Sequence, residues 1–187
     1  SSANVVSRSY IINPTAGASH GILFDTTANN TRIEGSTAVT NGIGGTAILM
    51  SGAGVASNTV TGSLAFSYGG DALGIQTGAN YNTVSFSTAI SDEAGYYGAY
   101  IFQAGAGNGI LDSYVRTALN HVAVLDNTHL SRIERSTFSG TAGGAAGLYL
   151  FNSSTNSISD SLFVSPGGKG VVIDGAAAQR NTITRST

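Results

Sequence analysis

Short apolar stretches recur along the whole chain, each bounded by Asn, Ser, Thr or Gly. Their brevity and turn-forming borders predict β-strands rather than helices. The pattern Asn-x-(Val/Ile)-x-x-Ser sets the register. It reads NVVSRS from Asn4, TRIEGS from Thr31, NTVTGS from Asn58 and NTVSFS from Asn82. It continues as NGILDS from Asn108, SRIERS from Ser131, NSISDS from Asn156 and NTITRS from Asn181. The spacings are 27, 27, 24, 26, 23, 25 and 25, a period of about 25 residues.

A second series lies between the motifs: GILFD, AILMS, LGIQT, AYIFQ, VAVLD, LYLFN and VVID. Its central aliphatics are Leu23, Leu49, Ile75, Ile101, Val124, Leu150 and Val172, which are expected to form one inward column. A third apolar series follows each Ser, at Ile11, Ala38, Ala65, Ala89, Val115, Phe138 and Phe163. Three strands per repeat make one coil of a parallel β-helix, in which each coil hides the apolar face its neighbour cannot hide alone. Coils stacked at about 4.8 Å give a rod near 35 Å long. The Val/Ile column (Val6, Ile33, Val60, Val84, Ile110, Ile133, Ile158, Ile183) then stacks inside. The Asn column forms a ladder of amides, and the Ser column from Ser9 to Ser186 serves a second corner.

Composition narrows the classes. Charged residues are only 10% and the net charge is −2, so no basic field exists to hold a nucleic acid. The 26 glycines fit many tight turns, and the absence of cysteine excludes disulfides and thiol chemistry. No apolar run reaches the roughly 18 residues of a membrane span. The repeat covers residues 1–187 as one domain, expected to be a segment of a longer protein, since the motif runs to both ends without a capping element. Asp112, Arg135, Asp160 and Arg185 alternate in sign on successive coils, as ion pairs on a stack would.

The phrases NNTRIEGS, GLYLFNSSTNSIS and GVVIDGAAAQRNTIT resemble the repeats of the right-handed parallel β-helix superfamily of pectate lyase-like proteins. The resemblance implies an all-β, right-handed, single-stranded parallel β-helix of about seven coils. It also implies a range of roles: polysaccharide lyases, hydrolases and epimerases, tailspikes and adhesin passengers. The catalytic signatures of those enzymes are mostly missing. The acids are dispersed apart from Asp92-Glu93, Ser19-His20-Gly21 has no acid beside it, and neither Pro14 nor Pro166 follows Asp.

Two places carry candidate chemistry. Taking Leu73, Ala99 and Val122 as equivalent puts Asp71, Tyr97 and Asn120 in one column, with His121 adjacent. The loop SDEAGYYGAY adds Asp92, Glu93 and Tyr96, and Arg116 comes from the next coil. Asp71, Tyr97, Arg116 and His121 are the catalytic candidates: acid, phenol, guanidinium and imidazole could move a proton beside a uronate carboxylate. Asp92, Glu93, Tyr96, Tyr97 and Asn120 are the ligand-binding candidates. The structural alternative is ordinary polar loop residues with tyrosines covering the wall. The second place is the apolar strand series, where Phe24, Met50, Tyr100, Phe102, Tyr149 and Phe151 form a candidate partner surface. Gln103, Asp126, Asn152 and Asp174 offer stacked oxygens, too few carboxylates for a strong calcium site. No metal or other cofactor is otherwise expected.

The resulting expectation is a structural or adhesive rod, extracellular or at the cell surface, presenting loops to a polysaccharide or cell-surface glycan. Adjacent domains, or self-association through coil ends or the apolar face, are the other expected partners. The alternative is a polysaccharide lyase, epimerase or tailspike-type hydrolase.

Overall fold

The structure, a computed structural model, describes residues 3–15, 17–141 and 145–187. Its regular elements are all strands, arranged in three parallel sheets. The first sheet has eight strands, one from each motif, from Val5–Ser7 to Thr182–Thr184. The second has seven, from Tyr10–Asn13 to Leu162–Val164. The third also has seven: Ile22–Asp25, Ile48–Ser51, Leu73–Gln76, Ala99–Phe102, Ala123–Asp126, Ala146–Phe151 and Lys169–Asp174. Within each sheet, every strand except the first and last pairs with the strand one repeat earlier and one repeat later, so the chain winds through all three sheets once per coil. Coils are numbered from the motif that begins each, so the third-sheet strands above belong to coils one to seven.

The Val/Ile column pairs in register from Val6 to Ile183. Ile33, Val60, Val84, Ile110, Ile133 and Ile158 are buried. The third apolar series stacks equally well, from Ile11 to Phe163. There Phe138 and Phe163 stack with centroids 5.1 Å apart. Small residues at Ala38, Ala65 and Ala89 leave room for the larger side chains of the facing sheets.

Polar ladders hold the corners. Each Ser from Ser36 to Ser186 accepts the backbone N–H of the Ser one coil earlier through its Oγ, at 3.1–3.2 Å. Most of these hydroxyls also donate to the carbonyl two residues back, which satisfies both halves of a buried group. At the Asn corner, the Oδ1 of Asn82 accepts from the Asn58 N–H and Nδ2, both at 3.0 Å. Its Nδ2 donates to the Val55 carbonyl at 3.1 Å and to Asn108 Oδ1 at 3.2 Å. Ser131 interrupts this column, and the Thr128 hydroxyl approaches the Ala104 carbonyl at 3.5 Å, in the place an Asn amide takes on neighbouring coils.

Turns bend through the left-handed region at fixed points. The residue before each motif Ser has φ between 45° and 57°: Arg8, Gly35, Gly62, Phe86, Asp112, Arg135, Asp160 and Arg185. Non-glycine residues accept this strain because the ladders on either side fix the backbone. The same turn carries the expected ion pairs. Arg135 grips Asp112 at 2.6 and 2.8 Å, and Arg185 grips Asp160 at 2.6 and 2.7 Å. They are two separate bidentate pairs rather than one continuous ladder.

The third sheet corrects the expected register. Ile75, Ile101 and Leu150 do share an inward column, but its other members are Phe24, Met50, Leu125 and Ile173. Leu23, Leu49, Val124 and Val172 stand in the outward column with Gly74, Tyr100 and Tyr149. Both positions are apolar in most coils, so the hydrophobic pattern does not reveal a one-residue slip, although the slip reverses which face a side chain takes.

Candidate functional site

The slip changes the composition of the candidate site. Phe24 and Met50, expected on a partner surface, are 3% and 0% exposed and belong to the core. Tyr100, Phe102, Tyr149 and Phe151 remain on the outer face of the third sheet, each half-buried. Tyr100 aligns with Val124, Tyr149 and Val172, while Phe102 aligns with Asp126, Phe151 and Asp174. The rings reinforce one another. Tyr100 lies 4.9 Å from Tyr97 and stacks on Phe102 at 5.3 Å, and Tyr149 stacks on His121 at 4.8 Å and Phe151 at 6.1 Å.

The residues leading into these strands also form a column. Leu73, Ala99 and Ala123 are in register, so Asp71, Tyr97 and His121 align, and Asn120 sits one position before the column. Valine and alanine at positions 122 and 123 are interchangeable as strand starters, which is why the sequence did not separate the two alignments. Asp71 Oδ1 accepts the Tyr97 N–H at 2.8 Å. His121 Nδ1 accepts the Ala146 N–H at 2.8 Å, and His20 Nδ1 accepts the Thr46 N–H at 3.1 Å. Each of these side chains therefore satisfies a backbone donor on the next coil, a role that composition alone did not reveal. With Nδ1 accepting, His121 carries its proton on Nε2. Asn120 closes the group by accepting the His121 N–H at 2.8 Å.

Burial dominates the electrostatics here. It raises the Asp71 carboxyl to about 6, against the opposing pull of its bond from Tyr97. Burial and the Asp71 charge raise the Tyr97 phenol above its ordinary value. Burial and the Asp126 charge do the same to Tyr100. At Tyr149 the larger cause is its hydrogen bond to Asp174, 2.9 Å long. Burial lowers the His121 imidazole. At neutral pH the face therefore carries neutral phenols that donate hydrogen bonds, a neutral imidazole and accepting carboxylates.

The remaining candidates lie elsewhere. Arg116 is on the outer face of the second sheet, in register with Ile90 and Ser139, and sits 3.8 Å from Asp92. Asp92 and Glu93 are exposed, and Tyr96 is half-buried, with its carbonyl accepting the Thr117 hydroxyl at 2.9 Å. The stacked oxygens expected of Gln103, Asp126, Asn152 and Asp174 divide between two columns. Gln103 and Asn152 occupy left-handed turn positions, and Asp126 and Asp174 stand on the sheet face. Among the described residues no three His, Cys, Asp or Glu cluster as a metal would require. Also among them, no helix is long and apolar enough to cross a membrane. The second sheet carries a separate shallow groove of about 590 Å³, lined by residues including Tyr10, Ile12, Val39, Phe66 and Tyr68.

The family model for right-handed β-helix regions matches residues 51–187, which includes the whole aromatic face. The chain belongs to the right-handed β-helix family. No curated protein matches it. Membership accounts for the stacked sheets and the polar corners. Membership in the fold family does not assign chemistry to the ring-and-carboxylate face of the third sheet, which depends on the side chains placed there.

Proposed function

We propose that this β-helical rod works outside the cell or at its surface and binds a glycan along the outer face of its third sheet. The observation that carries the reading is the alignment of Tyr97, Tyr100, Phe102, Tyr149 and Phe151 beside Asp71, Asp126 and Asp174. Sugar rings present C–H faces that lie on aromatic rings, and their hydroxyls donate to carboxylates. A sheet hydrogen-bonded on both sides holds these groups rigidly, so little ordering cost opposes binding. The test is line broadening and chemical-shift change when the protein is titrated with a panel of polysaccharides. Binding that vanishes in Tyr100→Ala together with Tyr149→Ala supports the reading, and an unchanged spectrum with every polysaccharide refutes it.

A second reading, hydrolysis or lysis of the bound chain, is favoured by one observation: a carboxyl raised to about 6 beside Tyr97. Two features weigh against proton abstraction. The phenols are shifted away from the anionic form, and the Arg116 that would neutralise a uronate is paired on another sheet. Release of reducing ends or of unsaturated sugars, lost in Asp71→Asn, would establish the enzymatic reading.

A further inference from the structure

The outer face of the third sheet contains one arrangement twice. In coil four Tyr100 and Phe102 flank the inward Ile101, and in coil five Val124 and Asp126 lie directly above them. In coil six Tyr149 and Phe151 repeat the first layer, and in coil seven Val172 and Asp174 repeat the second. The polar contact repeats as well: the Tyr100 hydroxyl points to Asp126 Oδ2 at 3.5 Å, and the Tyr149 hydroxyl donates to Asp174 Oδ2 at 2.9 Å. A further ring lies against each tyrosine, though from different coils: Tyr97 of the same coil against Tyr100, and His121 of the preceding coil against Tyr149.

From this duplication we infer that the face holds two equivalent subsites for an extended, uncharged polysaccharide laid along the rod axis. This rests on the glycan-binding reading and names its ligand. Two coils at about 4.8 Å each separate the subsites by about 10 Å, a distance that two sugar units of an extended chain span. Successive disaccharides would then meet the same ring and the same carboxylate. The small Val124 between the two tyrosines leaves the rings as separate platforms rather than one continuous wall. Charge selects against uronates. Asp71, Asp126 and Asp174 supply carboxylates, and among the described residues of the third-sheet strands the only cation is Lys169, in coil seven. An acidic chain would bring its own carboxylates against them, whereas neutral hydroxyls are matched donors.

The test is calorimetric titration of the full chain with neutral β-linked oligosaccharides, from disaccharide to hexasaccharide, and with oligouronates of the same lengths. Affinity should rise steeply once the ligand is long enough to cover both subsites, because the second contact becomes intramolecular. Tyr100→Ala and Tyr149→Ala should each weaken the long ligand by a similar factor, about threefold to tenfold. Neither should weaken the disaccharide as much as the pair together does. Oligouronates should bind about tenfold or more weakly than neutral chains. Tyr→Phe variants, which keep the platform and lose the hydroxyl contact, guard against a misfolded Ala variant. Neutral chains that bind without length dependence, unequal effects of the two tyrosines, or preferred uronates would overturn the duplicated subsite while leaving glycan binding intact. No heat from any carbohydrate would overturn both.

Discussion

Asp71 gives the sharpest test of how the face is built. Its carboxyl moves from an ordinary value near 3.9 to about 6, and each pH unit corresponds to about 1.4 kcal/mol. Full burial would thus make the ionised form cost about 3 kcal/mol of folding stability, and partial solvent access lowers this to about 1–3 kcal/mol. The sign follows from linkage. Between about pH 4 and 6 the folded state binds more protons than the unfolded state, so stability falls as pH rises through that window and levels off above it. Asp71→Asn keeps an oxygen to accept the Tyr97 N–H and removes the charge. The variant should match the parent near pH 3 and exceed it by about 1–3 kcal/mol near pH 7. Urea unfolding of both proteins from about pH 3 to pH 8 measures the difference. A variant less stable than the parent at neutral pH, or a difference that ignores pH, would show that burial does not govern this carboxyl.

Three further outcomes follow from the fold. Asn82→Ala strips buried partners from the Asn58 N–H and the Val55 carbonyl and should cost about 3–5 kcal/mol, read as a fall in the urea midpoint at constant slope. Gly70→Ala places a methyl group on the Gly45 carbonyl of the coil below, so it should destabilise by about 2 kcal/mol or more, whereas Gly95→Ala, whose Cβ meets open space, loses less through its left-handed φ of 91°. Arg135→Ala breaks an exposed pair with Asp112 and should leave the melting temperature unchanged within error; a large fall would mean that the surface pair carries the coil.

Much of this molecule could be read before any coordinate. The Val/Ile and the closing Ser of the motif recur at every coil and its Asn at all but two, because a backbone that returns to the same place needs the same cap, the same core residue and the same corner. Sequence periodicity therefore specified the three sheets, the buried Val/Ile column, both polar ladders and the Asp–Arg pairing. What it did not specify was the third sheet's outer face. Loops between the second and third sheets vary in length, and apolar residues occupy neighbouring positions in that strand, so the pattern was equally compatible with either register. Only inter-coil hydrogen bonding decided that Met50 is core and Tyr100 surface, and that His121 rather than Asn120 aligns with Tyr97. Local sequence sets which residues repeat. The stacking of one coil on the next sets which of them meet, because those contacts join residues more than twenty positions apart.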